Sequence, residues 1–240
     1  MEFNEFCNLM NEYSKEINIV FNEKQLKQFY EYMNLLIEWN EKINLTAIIE
    51  PKEIIIKHFI DSITINKYIK EDETLVDIGT GAGFPGVPIK ILRPDIKVTL
   101  VDSLNKRINF LNEVIQKLEL KENECIHSRV EEFGKNKKYR EGFDNVTSRA
   151  VANLTVLSEY MIPLAKVNGR CICMKGSEIK QEIEDSKIAI NVLGGKIEDI
   201  YEFELPKTDI KRNIIKIRKI KITPGKYPRK PGIPTKEPLK

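Results

Sequence analysis

A short apolar run followed by four glycines constrains the fold of this chain more than any other feature. Residues 74–78 (Thr-Leu-Val-Asp-Ile) have the composition of a buried strand, and glycines follow at positions 79, 81, 83 and 86. Glycine lets a chain turn sharply and lets its backbone approach a ligand closely. A helix after such a turn offers unpaired N–H groups at its first residues. We therefore expect a strand, a ligand-binding turn and a helix.

Strand-like and helix-like segments alternate along the rest of the chain. Alternation of this kind indicates a parallel sheet, and two final strands without a helix between them indicate an antiparallel hairpin. The predicted strands cover residues 74–78, 97–102, 124–128, 143–148, 170–175, 196–205 and 213–220. This pattern predicts an α/β fold with a mostly parallel, seven-stranded, Rossmann-like sheet and an antiparallel C-terminal hairpin. It is typical of class I methyltransferases, whereas ordinary dinucleotide-binding folds end differently.

Three regions follow from the same pattern. Residues 1–70 form an N-terminal helical region, in which apolar side chains recur every three to four residues. Residues 71–222 form the Rossmann-like cofactor-binding domain. Residues 223–240 contain five prolines with basic residues between them, which excludes a regular helix or a central strand. We expect this last region to be an extended arm that is ordered only against a surface or a partner.

Two cofactors compete for the glycine turn. Residues 81–86 fit the dinucleotide pattern G-x-G-x-x-G, but a single match of this kind is weak evidence. Gly79, Gly81 and Gly83, preceded by Asp77, also fit the turn that binds S-adenosylmethionine. A carboxylate would repel a pyrophosphate, whereas it stabilises a sulfonium and an ammonium group. Asp77 therefore favours S-adenosylmethionine, and an NAD-dependent oxidoreductase is the alternative.

Polar residues also stand at the ends of the next two predicted strands. Asp102 ends the second strand, 19 residues after Gly83, and is followed by Ser103; a carboxylate there can accept both ribose hydroxyls. Glu131 follows the third strand, where an adenine edge would lie. Each acid taken singly could be a solvated loop residue or a helix cap. Because open α/β sheets bind ligands at the carboxyl ends of their strands, we expect these residues to contact the cofactor.

Charge is distributed unevenly along the chain. Residues 211–240 hold eleven Lys and Arg but one acid, whereas the rest of the chain has a net charge of −7. A basic end on an acidic body indicates binding to a polyanion such as RNA, although a solubilising tail would look the same. If the end binds RNA, removing the residues after 223 should weaken RNA binding and leave cofactor affinity nearly unchanged. The predicted RNA contacts are Lys106, Arg107, Lys175, Lys211, Arg212, Lys216, Arg218, Lys219, Lys221, Lys226, Arg229 and Lys230.

The sequence predicts neither a metal site nor an export signal. It has four cysteines and only two histidines, so few ligands for a structural zinc are available. We expect Cys171 and Cys173 to face opposite sides of their strand and to be free thiols in the reducing cytoplasm. No apolar run approaches the roughly 18–20 residues of a membrane span. We expect a cytoplasmic monomer with no membrane partner.

Several motifs, which together span almost the whole chain, are similar to those of the RsmG (GidB) family of small-subunit rRNA methyltransferases. The Phe-Pro-Gly that follows the glycine turn and the Ser-Arg-Ala at 148–150 are much more specific than the glycines alone. The similar motifs cover residues 44–46, 58–62, 77–88, 102–107, 128–132, 148–152, 175–176 and 227–234.

This resemblance implies a reaction and a set of contacts. The reaction is methyl transfer to N7 of a guanine, position 527 in the 530 loop of 16S rRNA, either in the free RNA or in the small ribosomal subunit. The implied cofactor contacts are Gly79, Phe84, Val130, Glu131 and Arg149.

The chemistry predicts positioning rather than proton transfer. Guanine N7 has a free lone pair and needs no deprotonation, so we expect no dedicated general base. Arg149 and Lys175 are predicted to orient the reactants, because they follow the fourth strand and end the fifth. His58, Asp61 and Ser62 share one helical face and resemble a hydrolytic triad in composition, but a structural polar cluster is the favoured interpretation. The remaining rivals are a non-enzymatic RNA-binding factor and a methyltransferase for a protein or a small molecule.

Overall fold

Seven strands form one mixed sheet in the structure, a computed structural model that describes residues 1–239. In chain order they are β1 (Thr74–Ile78), β2 (Lys97–Asp102), β3 (Asn123–His127), β4 (Phe143–Arg149), β5 (Ala165–Lys175), β6 (Gly195–Glu204) and β7 (Lys211–Lys219). Their order in the sheet is β3-β2-β1-β4-β5-β7-β6. The first five are parallel neighbours, and β7 lies antiparallel between β5 and β6. The α/β fold predicted from the sequence is confirmed.

This strand order locates the crevice of the sheet. The chain runs outward from β1 through β2 to β3, then returns to the other side of β1 with β4 and β5. Open α/β sheets bind ligands outside the carboxyl ends of the strands at such a reversal. The turn after β1 and the loop after β4 therefore border the expected binding crevice.

Helices cover both faces of the sheet. They are α1 (Phe3–Lys15), α2 (Glu23–Ile43), α3 (Pro51–Ile54), α4 (Asp61–Ile63), α5 (Gly86–Leu92), α6 (Asn105–Lys117), α7 (Val130–Phe133), α8 (Leu154–Met161), α9 (Lys180–Leu193) and α10 (Ile233–Lys236). A π-helical segment (Ile55–Ile60) joins α3 to α4, and a 3₁₀ segment (Thr64–Tyr68) follows α4, so residues 51–68 form one nearly continuous helix. Pro51 occupies its first turn, where a missing N–H has no cost.

The N-terminal helices share a core with one face of the sheet. Phe29 and Phe59 pack in the same buried cluster as Leu100 of β2 and Leu111 of α6. The Gln25 side chain completes a capping box at the start of α2 and donates to the carbonyls at the end of α5. The predicted helical region is thus joined to the sheet through a common apolar core. The opposite face of the sheet is covered by a second core that includes α8 and α9.

The Pro-rich arm (residues 223–239) folds back onto the body of the protein. Arg140 donates to the carbonyls of Thr223 and Tyr227, and the Tyr227 ring is buried in the second core. Arg229 forms an ion pair with the buried Glu159 of α8. The arm therefore packs against the chain's own surface, through partners that lie far away in the sequence.

The expectation for the two cysteines of β5 is wrong. Cys171 and Cys173 both point into the second core, because side chains two residues apart in a strand share a face. Cys173 Sγ lies 3.5 Å from Met161 Sδ. Within residues 1–239, no three His, Cys, Asp or Glu side chains stand close enough to hold a metal ion. In that same range, no helix has the length and apolar composition needed to span a bilayer.

Candidate active site

The glycine turn joins β1 to α5. Gly79, Gly81 and Gly83 all have positive φ angles, of 62°, 62° and 98°. Side chains other than glycine rarely adopt this region, which explains the spacing of the glycines. A Cβ built on Gly81 would meet nothing within 4 Å, whereas one on Gly79 would lie 2.6 Å from Val151 in the loop after β4. The turn is therefore open at Gly81 and closed by Val151 at Gly79.

Asp77 lies behind the turn, fully buried at the end of β1. Its Oδ2 accepts hydrogen bonds from the Thr80 hydroxyl at 2.6 Å and from the Gly86 N–H at 2.8 Å. Its Oδ1 is buried and has no hydrogen-bond partner among the described residues. Burial raises the pKa of Asp77 to about 7. Asp77 therefore stabilises the shape of the turn. Because the carboxylate is buried, the glycine backbone lies between it and any ligand, and the attraction predicted for a sulfonium would act across that backbone.

Asp102 connects the glycine turn to the end of β2. Its Oδ2 accepts from the Gly81 N–H at 2.9 Å and from Arg107 at 3.3 Å, and its Oδ1 accepts from the Leu104 N–H at 2.9 Å. Ser103, the next residue, is exposed. None of these three partners was anticipated from the sequence. The ribose contact expected of Asp102 stays a prediction.

Glu131 lies in the first turn of α7, after β3, and is buried. Its Oε1 accepts the Gly232 N–H of the arm at 3.0 Å and lies 3.5 Å from the Tyr160 hydroxyl. The neighbouring Val130 is half-buried. The structure thus brings Asp77, Asp102 and Glu131 to one edge of the sheet, as predicted. It adds the arm, which the sequence did not place there.

A cavity of about 340 Å³ lies on the other side of the loop that follows β4. We call it the cationic cavity, because its lining includes Lys57, Arg149, Lys175 and Arg212 with one carboxylate, Asp61. Ala150 lines the cavity, while the next residue, Val151, contacts Gly79 of the turn. The loop after β4 therefore has the glycine turn on one side and the cationic cavity on the other.

His58 connects the two sides of the site. Its ring stacks on Phe84 with 4.4 Å between centroids. Arg149 Nη2 lies 3.1 Å from His58 Nδ1, which must therefore accept the hydrogen bond, because a guanidinium has only donors. The other nitrogen, Nε2, then donates to the Thr46 hydroxyl at 2.9 Å. Burial, and after it the charge of Arg149, lowers the pKa of His58 to about 3, so this imidazole stays neutral.

This geometry contains no hydrolytic triad. Asp61 bonds to Arg149 rather than to His58, and the Ser62 hydroxyl is buried with no partner in the described part of the chain. Nucleophilic catalysis by serine needs hydrogen bonds from serine to histidine and from histidine to the acid. The three residues are polar groups on the helix 51–68 that lack the bonds of a triad.

Arg149 and Lys175 are held firmly at the ends of β4 and β5. Arg149 Nη1 donates to the Lys57 carbonyl at 2.9 Å and to Asp61 at 3.0 Å, and its guanidinium lies 5.0 Å from the centre of the Phe84 ring. Lys175 Nζ donates to Glu182 and to the Ala152 carbonyl, both at 2.6 Å. Both cations face the cavity in fixed positions, as a positioning role requires.

The count of basic residues overstates the charge available to a polyanion. Lys219 is completely buried, where its ammonium group donates to Glu141 and two carbonyls, so its expected contact with RNA is wrong. Other predicted RNA contacts are paired with acids: Arg107 with Asp102, Lys175 with Glu182, Arg212 with Asp61, Lys216 with Glu198 and Asp199, Arg218 with Glu198, and Arg229 with Glu159.

Several of the predicted basic residues remain exposed. Among the residues that the structure describes, Lys106, Lys211, Lys221, Lys226 and Lys230 are exposed and form no ion pair. Lys226 lies over the Tyr227 ring. Periodicity could not distinguish these residues from the paired ones, because the acids that neutralise the others lie on other elements.

The sequence matches known methyltransferases along nearly its whole length. A family model described as rRNA small subunit methyltransferase G (GidB) matches residues 25–215. Proteins named ribosomal RNA small subunit methyltransferase G from Clostridium botulinum (strain Loch Maree) and Clostridium novyi (strain NT) are 54% and 50% identical to the chain. Each match covers 98% of this chain, and 100% and 97% of those proteins.

Solved structures show the same fold at low sequence identity. A SAM-dependent methyltransferase from Aquifex aeolicus matches with a TM-score of 0.50 and 18% identity, over 70% of this chain and 93% of that one. Ribosomal protein L11 methylase from Lactobacillus delbrueckii subsp. bulgaricus matches with a TM-score of 0.51 and 14% identity, over 68% and 77%. At these identities the likeness establishes the architecture alone.

Proposed function

Because the chain belongs to the rRNA small subunit methyltransferase G family, we propose that it transfers a methyl group to N7 of a guanine in small-subunit ribosomal RNA. The specific site is position 527 in the 530 loop of 16S rRNA. The chain is an S-adenosylmethionine-dependent methyltransferase. This assignment excludes the alternative of an NAD-dependent oxidoreductase. The observation that supports the RNA substrate is the two-sided site, in which a glycine turn backed by acids adjoins a cavity lined by four cations.

The residues around the turn fit S-adenosylmethionine. The open space at Gly81 leaves room for a ligand against the backbone, and the unpartnered Oδ1 of Asp77 leaves one acceptor unsatisfied behind it. In our proposal Asp77 attracts the sulfonium and ammonium charges, while Asp102 and Ser103 hold the ribose. Glu131 and Val130 flank the adenine. Gly79, Gly83 and Phe84 shape the surface that the cofactor contacts.

The reaction requires positioning and no proton transfer. When bound, S-adenosylmethionine supplies a methyl group whose bond to sulfur breaks, with the electron pair staying on sulfur, as the N7 lone pair forms the new bond. The positive charge passes to the base, and no proton has to leave. Arg149 orients the reactants in a fixed geometry, because Lys57, Asp61 and His58 hold its guanidinium. Aligned contact at roughly 3–3.5 Å between reacting atoms is the main requirement for such a transfer.

His58 does not act as a general base in our proposal. Its pKa of about 3 would make it a weak proton acceptor at neutral pH, and both of its nitrogens are already hydrogen-bonded. Its role in our proposal is to hold Arg149 against Phe84.

The RNA backbone contacts fall to the exposed, unpaired lysines. Lys106 lies near the cofactor side of the sheet edge, on α6, while Lys226 and Lys230 lie on the arm. Arg212 and Lys175 face the cationic cavity. We propose that the protein acts as a monomer in the cytoplasm, where it meets 16S rRNA or the small subunit.

The test is incubation with S-adenosylmethionine labelled in its methyl group and with small-subunit rRNA that lacks its modifications. We expect one labelled guanine, located by cleavage of the RNA at 7-methylguanine after reduction. Free rRNA and isolated small subunits should be compared as substrates.

A matched RNA in which the labelled guanine is replaced by adenine should incorporate no methyl group. Label at another atom of the base, or in protein instead of RNA, would contradict the proposal. A protein that binds rRNA and S-adenosylmethionine but transfers nothing would favour the non-enzymatic RNA-binding alternative.

A further inference from the structure

The cationic cavity contains one group whose hydrogen bonding is incomplete. Asp61 is 98% buried (2% exposed), and its Oδ2 accepts from Arg149 at 3.0 Å and from Arg212 at 3.3 Å. Its Oδ1 has no hydrogen-bond partner anywhere in residues 1–239. A buried polar atom left unpaired is costly, and each such atom in a native structure calls for an explanation. A ligand that donates hydrogen bonds would supply the missing partner.

The cavity has the position and the size for one base. It opens at the carboxyl ends of β4 and β5, across the loop after β4 from the glycine turn. The turn and the cavity therefore adjoin at two neighbouring residues of that loop, Val151 at the turn and Ala150 at the cavity. The volume of about 340 Å³ lies near the lower end of the range for sites that bind small molecules, about 300–1,000 Å³. RNA loops can present single bases that are splayed out of the stack.

The donors and acceptors of the cavity distinguish between purines. Guanine carries two donors on its Watson–Crick edge, the N1–H and the 2-amino group, and a carboxylate oxygen can accept from both. Adenine has an acceptor at N1 and no 2-amino group, so it would place a lone pair against Asp61. A phosphate in the same position would also be repelled by the unpaired oxygen, although the lysines and arginines would attract it.

We propose that Asp61 is the residue that recognises the target guanine, with Oδ1 accepting from its Watson–Crick edge while N7 faces the methyl donor. This proposal rests on the function proposed above and adds the specificity for the base. Arg149 and Arg212 hold the Asp61 carboxylate through Oδ2, and the unpartnered Oδ1, which has almost no exposed surface, meets the base when the carboxylate turns toward the cavity.

The experiment compares guanine and inosine at the target position, because inosine lacks only the 2-amino group. Wild-type protein should have a kcat/KM about tenfold or more higher on guanine, the value of one hydrogen bond to a charged acceptor. Asp61→Asn should lower kcat/KM on guanine and bring the two substrates to within about twofold, since the amide has lost the charge. Asp61→Glu should restore part of the preference. Asp209→Asn, a change at an exposed aspartate, should leave the ratio as in wild type.

Three outcomes would overturn the inference. Equal wild-type rates on guanine and inosine would do so, whether or not the variants fold. An unchanged guanine-to-inosine ratio in a folded Asp61→Asn would do the same. A selective loss of S-adenosylmethionine affinity in that variant would assign the cavity to the cofactor instead. Wild-type protein that binds S-adenosylmethionine but labels no rRNA would reject the proposed function itself, and this inference with it.

Discussion

Arg229→Ala should lower the free energy of unfolding by about 3 kcal/mol, because it leaves a carboxylate without its partner in the core. Glu159 is only 1% exposed, and Arg229 donates to both of its carboxylate oxygens, at 2.7–3.1 Å. Removing one member of a buried ion pair costs about 3–5 kcal/mol. The lower end applies here, because the Arg229 backbone N–H still donates to Glu159 and the Arg229 side chain is 23% exposed to water.

The measurement is urea denaturation followed by circular dichroism. In a chain of this size 1 kcal/mol corresponds to about 2–4 °C, so Tm should also fall by roughly 6–12 °C. Arg218→Ala is the matched control, since its partner Glu198 is accessible to solvent and such pairs contribute about 1 kcal/mol or less. Combining Arg229→Ala with Glu159→Leu should recover most of the loss, because no buried charge would remain.

The same variant distinguishes two roles for the arm. Gly232 donates its N–H to Glu131, so loosening the arm should also weaken S-adenosylmethionine binding. The slope of RNA affinity against salt concentration should change little, because Arg229 is already neutralised. Unchanged stability with a shallower salt dependence would refute this reasoning and support an arm that faces RNA.

Four further predictions concern the turn and the charged surface. Asp77→Asn should weaken S-adenosylmethionine binding about tenfold at pH 8, and wild-type affinity should rise from pH 6 to 8, since burial raises the pKa of Asp77 to about 7; calorimetric titrations that are flat with pH would argue against it. Because the pKa of Asp77 is higher in the folded protein than in the unfolded chain, its contribution to the free energy of unfolding is complete below about pH 4 and is lost as pH rises through 7. Between these pH values, the free energy of unfolding of Asp77→Asn, measured by denaturation, should therefore increase relative to that of wild type. Lys226→Ala with Lys230→Ala should reduce the salt slope of RNA binding by about two, whereas Lys219→Ala should lower stability and leave that slope intact; equal slopes in all three proteins would contradict this. Gly79→Ala should lower Tm more than Gly81→Ala, because the two share a φ of 62° but only Gly79 faces Val151; equal melting temperatures would be the contrary result.

The sheet could be predicted because its signals are local. An apolar run, a turn residue and a helical period each lie within a few neighbouring positions, and six of the seven predicted strands differ from the observed ones by no more than two residues at either end. The exception is β5, which begins at Ala165 rather than at Arg170. Its first residues include Asn168, at a positive φ of 70°, and Gly169, and neither residue type favours a strand.

The acids of the crevice were predictable for a similar reason, since strand ends converge at one edge of a sheet. Their partners were not. Arg149 and Asp61 are separated by 88 positions, and Glu159 and Arg229 by 70. No local sequence pattern indicates which acid will neutralise which basic residue. The sequence analysis therefore treated all the lysines and arginines of residues 211–240 as available to RNA. The direction in which the Asp77 carboxylate points could not be predicted either. It depends on the path of the glycine turn, and the carboxylate itself stabilises that path through its bonds to Thr80 and Gly86.

The arm leaves the ribosome after the whole sheet has been synthesised, and it completes a crevice whose other walls are made much earlier. Gly232, whose N–H donates to the Glu131 carboxylate, is synthesised about a hundred residues after Glu131. A nascent chain that already contains the whole sheet therefore still has a loosened cofactor crevice. Full affinity for the methyl donor should arrive only after the arm has been synthesised, and a chain released before Arg229 should remain a folded but weakly binding species.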